Sequence, residues 1–190
     1  GATGATGRQV VRALLASERW AQVTAVTRRE PQAGELHADS EPPAKLRVVW
    51  TSEQLDDAAS WRGDVLFNCI GTTRSKAGGG GGFKLAEVNT SATAARRALD
   101  AGVRHASLVS AVGANARVWV DPWGLVHPLL YARSLGKKEL AMRGAQPGGG
   151  GAGFASLSIF RPGMLDRLMG DRIHEVLINA LGIGLRVDAL

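Results

Sequence analysis

The sequence predicts an α/β protein built on a doubly wound parallel sheet. Three observations carry that expectation. Short β-rich runs alternate with helix-period stretches along the chain, a pattern of βαβ units. One run, Asp64 to Ile70 (DVLFNCI), is continuously apolar, as in a strand buried on both faces. A glycine loop, Gly1-Ala2-Thr3-Gly4-Ala5-Thr6-Gly7, opens the first helix.

The elements follow in order. Val10, Val11, Leu14 and Leu15 recur at helical spacing, so residues 7–19 read as a helix. Gln22 to Thr27 is a short β-branched run and a strand. Arg28 to Pro43 is polar and proline-bearing, hence a loop, and Leu46 to Trp50 is the next strand. Leu55 to Trp61 reads as a short helix, with Asp56 and Asp57 as caps at its start. After Asp64 to Ile70, residues 84–101 form a helix with Leu85, Val88, Ala92, Ala95 and Leu99 on its inner face. Ala106 to Val112 is a strand, 115–128 an irregular loop, 131–144 a helix and Ser156 to Phe160 a strand. A last helix is expected over 171–182. The glycine runs near 78–82 and 148–153 read as flexible loop inserts.

The chain has 190 residues, which fits one domain with a real core. A single domain is expected over 1–190, with its first strand upstream of Gly1 and its last part downstream of Leu190. The net charge of +6 is spread over scattered arginines, with no run of five basic residues. That argues against a nucleic-acid partner. One cysteine, Cys69, excludes an internal disulfide, and it reads as core packing. His37, His105, His127 and His174 lack metal-ligand spacing, so no metal is expected. No apolar run is long enough to span a bilayer. The compartment, cytoplasmic or organellar, and the oligomeric state are left open.

The loop Gly1-x-x-Gly4-x-x-Gly7 at a helix start is the chemistry of pyrophosphate binding. Glycines let the backbone approach the anion, and the helix N-terminus supplies free N–H groups and partial positive charge. Gly1, Thr3, Gly4, Ala5, Thr6 and Gly7 are therefore expected to hold a dinucleotide. Folds that bind NAD place a carboxylate on the ribose about 20 residues further on. Here that zone reads Thr27-Arg28-Arg29. Guanidinium groups suit a 2′-phosphate, so the expected cofactor is NADP (NADPH), with Arg28 and Arg29 reading the phosphate.

The segment Asn68 to Gly78 (NCIGTTRSKAG) resembles a signature of the atypical short-chain dehydrogenase/reductases of the Tat-interacting oxidoreductase group. Leu55-Asp56-Asp57, Leu108 to Asn115 (LVSAVGAN) and Phe160-Arg161-Pro162-Gly163 agree with it in the same order. The resemblance implies a Rossmann fold and a Ser/Tyr/Lys reductase site acting on a small-molecule carbonyl substrate. It also implies that Ile70, Gly71, Thr72, Tyr131, Arg161, Pro162 and Gly163 line the cofactor. Ser110 fits the serine and Tyr131, the chain's single tyrosine, fits the tyrosine. Tyrosine hands over the proton, serine holds the substrate oxygen and lysine lowers the tyrosine pKa.

The lysine is the departure. Gly136 and Glu139 match the family pattern, which leaves Leu135 in the lysine position. Lys137 and Lys138 lie two and three residues further on and are expected to point elsewhere. The site is therefore expected to be degenerate. Two functions are implied: an NADPH-dependent carbonyl reductase, or a non-catalytic NADP-binding regulatory protein that binds a partner protein. Trp119 and Trp123 are expected either to line a substrate pocket or to pack a loop, and Arg74 and Lys76 either to face anions or to be exposed.

Overall fold

A computed structural model describes residues 1–38, 41–120, 127–144, 153–163, 165–166 and 185–186. They form two compact units, Gly1–Ser60 with Gly163–Leu190, and Trp61–Pro162. The expected last helix at 171–182, Trp123 and the second glycine run lie outside the described residues.

In the first unit, helix α1 spans Ala5–Ala16. Its Val11, with Leu14 and Leu15 one turn on, packs against Val23, Ala25 and Leu36. Burying such side chains contributes roughly 1.5–3 kcal/mol each. Lys45 closes the far end of α1 by donating to the carbonyls of Leu14 (3.4 Å) and Ser17 (3.0 Å). Strands β1 (Val23–Val26) and β2 (Leu46–Val49) pair in parallel, Val23 beside Leu46. A short helix α2 follows over Ser52–Asp56, then a 3-10 turn over Ala58–Trp61. The cap of α2 is Thr51, whose hydroxyl accepts from the Gln54 N–H at 3.3 Å. Asp57 caps the 3-10 turn, accepting from Ala59 N–H at 3.0 Å. Asp56 instead ends α2, so only one of the two expected caps is at a start. Two short segments, Leu165–Asp166 (β6) and Leu185–Arg186 (β7), also pair in parallel.

The second unit holds a three-stranded parallel sheet in the order β3-β4-β5. These strands are Val65–Asn68, His105–Val109 and Ser156–Phe160. The expected double-sided burial of β3 is not met: Val65, Leu66 and Phe67 are half-buried and Asn68 alone is buried. The glycine run before the next helix is a correction too. Gly80–Lys84 is helical (α3), and it continues through a π turn, Leu85–Asn89, into α4, Thr90–Asp100. A methyl on Gly82 would lie 1.9 Å from the Ala77 carbonyl oxygen, so the glycine makes room for a tight turn.

The π turn also rotates the helix relative to expectation. Phe83, Glu87, Ser91, Ala94, Ala95 and Ala98 face inward, while Leu85 is 59% exposed. Helix α5, His127–Met142, completes the unit. Its Met142 packs with Ala95, Ala106 and Leu108. Among the described residues no helix is long and apolar enough to cross a membrane.

Candidate functional site

The glycine loop lies in the first unit. Gly4 N–H donates to Gly1 O at 3.0 Å and its own carbonyl accepts from Arg8 N–H at 2.9 Å, which starts α1. No side chain caps this helix start and no acidic residue sits in its first turn. Among the described residues its leading N–H groups therefore have no capping side chain. A methyl on Gly7 would lie 2.0 Å from Gly1 O, so the loop folds over a cradle that only glycine permits.

The two arginines after β1 differ. Arg29 is held by Glu35, donating at 3.0 Å and 2.8 Å to its two carboxylate oxygens. Those bonds hold the Arg29 pKa above and the Glu35 pKa below their ordinary values. Arg28 is exposed and pairs with none of the described residues. An expectation of two equivalent phosphate readers therefore separates into one engaged arginine and one available one.

In the second unit the carboxyl ends of β3, β4 and β5 bring Ile70, Ser110 and Arg161 to one edge of the sheet. Ser110 is buried and donates to Glu139 Oε1 at 2.6 Å. Arg161 donates through Nε to the same oxygen at 2.8 Å and through Nη2 to Oε2. Burial raises the Glu139 pKa, but the bonds from Arg161 and Ser110 outweigh it and hold the carboxyl below its usual range. An ionised carboxylate only accepts, so the Ser110 proton is committed to Glu139. Pro162 contributes its carbonyl to the Val112 N–H at 2.9 Å.

Tyr131 is half-buried on α5, its ring 6.0 Å from that of Phe83. Leu135, one turn on, is 3% exposed. Gly136 is required by packing: a methyl there would fall 2.0 Å from Ala116 N. Lys138 overturns an expectation. Far from pointing away, it lies on the face shared by Tyr131 and Leu135 and is 1% exposed. Its ammonium donates to Glu87 Oε2 at 3.2 Å, to Val109 O at 3.4 Å and to Ile70 O. Glu87 Oε1 in turn accepts the Thr72 N–H at 2.7 Å.

Glu87, Lys138 and Glu139 were not among the expected site residues. A stripe spaced by four, Phe83-Glu87-Ser91-Ala95, was present in the sequence, but the more apolar stripe through Leu85 masked it. Trp119 is 70% exposed, Arg74 is half-buried and Lys76 is exposed. Cys69 is half-buried, and burial raises its thiol pKa.

Comparison with known proteins agrees with the resemblance read from the sequence. Residues 1–143 match a family model described as NAD(P)H-binding. The mitochondrial protein FMP52 of Lodderomyces elongisporus is 29% identical over 151 residues, covering 75% of this chain and 58% of its own length. That of Candida albicans is 31% identical over 148 residues, covering 73% and 56%. Protein HTATIP2 of Rattus norvegicus is 30% identical over 168 residues, covering 87% and 60%. The chain thus spans less than two thirds of the length of these three relatives. Among solved structures, the dTDP-glucose 4,6-dehydratase DesIV of Streptomyces venezuelae, with NAD and TYD bound, superposes with a TM-score of 0.64 at 21% identity, covering 95% of this chain and 60% of that one. The oxidoreductase ylbE from Lactococcus lactis gives 0.57 at 17%, covering 87% and 67%. At such identities the likeness shows the fold, which is α/β and Rossmann-like.

Proposed function

Because the chain belongs to the NAD(P)H-binding family, we propose that it binds NADP(H) and that cofactor binding, rather than carbonyl reduction, is its main activity. The observation that supports this is the state of the lysine. Leu135 fills the catalytic lysine's position as a buried hydrocarbon, and Lys138 spends its ammonium inside the unit. Leu135 carries no charge, and the Lys138 ammonium already has three acceptors within the unit. The committed Ser110 proton points the same way, since a serine that donates to Glu139 is not donating to a substrate oxygen.

The glycine cradle at Gly1–Gly7 and the uncapped start of α1 fit a pyrophosphate. Arg28 fits the 2′-phosphate, and Arg29 would first have to leave Glu35. By the family resemblance, Ile70, Gly71, Thr72, Tyr131 and Pro162, which lie in the second unit, and Gly163 are the residues proposed for the nicotinamide half. Arg161 would act there through Glu139. When bound, NADPH supplies a hydride. In this reading the occupied protein presents a surface to a partner protein.

A second reading, an NADPH-dependent carbonyl reductase, is favoured by the retention of Ser110 and Tyr131 in one unit. NADPH oxidation against a carbonyl panel separates the two. The binding reading expects no turnover by the native chain, a thermal shift with NADPH, and some turnover on Leu135→Lys. Native turnover that Tyr131→Phe abolishes would establish the reductase. No thermal shift with NADPH would sink both.

A further inference from the structure

The second unit contains a buried charge pair. Glu87 and Lys138 have side chains 3% and 1% exposed, and they meet at 3.2 Å. Burying two charges costs several kcal/mol each before their attraction is counted, and apolar residues of like volume often do as well or better. A pair held in so dry a place is thus weak support for stability alone.

Its connections are specific. Lys138 bonds the carbonyl of Ile70, just past β3, and that of Val109, the last residue of β4. Glu87 bonds the N–H of Thr72. Together they grip the turn Ile70-Gly71-Thr72 from inside, by one carbonyl and one N–H. Asn68 adds a third hold, its Oδ1 accepting from Ile70 N–H at 3.0 Å. Gly71, between the two gripped residues, is exposed. Glu87 reaches this position from the π turn, an irregularity that often marks functional sites.

We infer that Glu87 and Lys138 are positioning residues that set nucleotide affinity by ordering the Ile70–Thr72 backbone, without touching the ligand. The inference rests on the proposed NADP-binding reading. A turn held in its bound shape beforehand spares binding the cost of ordering it. Leu135 stands where the family resemblance implies a lysine, and Lys138, three residues on, bonds the backbone of Ile70 and Val109.

The test uses the full 190-residue chain, NADPH as probe, and three variants: Glu87→Gln, Lys138→Met and Glu87→Leu/Lys138→Met. Each is read twice, by NADPH affinity of the folded protein and by amide hydrogen exchange at Thr72 without nucleotide. The double variant removes both buried charges, so it keeps the experiment decisive if a single variant fails to fold. It is expected to fold, to exchange Thr72 faster, and to bind NADPH about tenfold more weakly. Glu87→Gln keeps an acceptor for Thr72 and is expected to fall between. A purely structural pair would lower the melting temperature yet leave affinity and Thr72 exchange as in the native chain, and that result overturns the inference. If the native chain binds no NADPH, the functional reading fails and the nucleotide role with it. Thr72 exchange then still decides whether the pair orders the turn.

Discussion

Substituting Gly7 by alanine tests the glycine loop where its geometry is tightest. Gly7 lies in the first turn of α1, so alanine there brings a propensity gain of about 1 kcal/mol. Against this stands the position of the new methyl, 2.0 Å from Gly1 O, 2.8 Å from Gly1 C and 2.9 Å from Ala2 Cα. All three are backbone atoms, so no rotamer change relieves the contact. The loop must move by more than an ångström relative to the helix. Overpacking of ordinary severity costs about 1–3 kcal/mol, and a clash with backbone belongs at the upper end. The net expectation is a loss of about 1–2 kcal/mol and a melting temperature lower by roughly 2–8 °C. Because the moving atoms are those that would face pyrophosphate, NADPH affinity should fall by about 50-fold or more, well beyond the stability effect. Isothermal calorimetry with NADPH and scanning calorimetry give the two numbers. Gly63→Ala is the control, since a methyl there meets nothing within 4 Å, and it should change neither. A Gly7→Ala protein that binds NADPH within twofold of the native affinity would refute the assignment of the loop to the phosphates.

The two arginines after β1 should separate in titrations with NADPH and NADH. Arg28→Ala is expected to weaken NADPH about tenfold and leave NADH unchanged, because only NADPH carries the 2′-phosphate. Arg29→Ala should do less, since Glu35 already holds that guanidinium; equal losses for both cofactors would discard the phosphate role. The Glu139 carboxyl gives a pH prediction. Its folded pKa is depressed, so its contribution is complete above the ordinary glutamate value of about 4.3 and is lost as pH falls through the lower folded value. Urea unfolding of the native chain from pH 6 to pH 3 should therefore show a decline that Glu139→Gln lacks over the same window. Parallel curves for the two proteins would show that the Arg161 bonds do not persist in solution.

Much of this could be read from residues alone, for reasons that differ from element to element. The strand Ser156–Phe160 was placed as expected, because it is a short β-rich run with a proline and glycine after it. The loop Gly1–Gly7 was legible because its spacing has a mechanical meaning. The glycines at 80–82 were not, since glycine is the poorest helix former after proline. Gly82 alone of the three meets backbone, since a methyl there would lie 1.9 Å from Ala77 O while one on Gly81 would meet nothing within 4 Å, a tertiary reason absent from local propensity. The inner face of the following helix was misjudged for a related reason. A regular 3.6-residue period through Leu85 fits the apolar residues, but the π turn adds a residue and brings Glu87 and Ser91 inward instead. The hold of Glu35 on Arg29 crosses a turn and has no periodicity to reveal it.

Lys138 shows what a count of positions can hide. Measured from Leu135 alone, a residue three further on looked misdirected. Measured from Tyr131, residues 131, 135 and 138 fall at i, i+4 and i+7 on one face of α5. Moving an ammonium one turn along such a face changes its chemistry more than its direction. Beside the tyrosine, a lysine keeps some of its hydrogen-bonding capacity for a ligand. At 138 it is buried, and a buried ammonium must find its three acceptors within the protein. Glu87, Ile70 and Val109 supply them. The same burial therefore leaves the Lys138 ammonium engaged within the unit. On the proposed reading the chain holds a nucleotide without turning it over, and for that reason binding and turnover have to be measured separately.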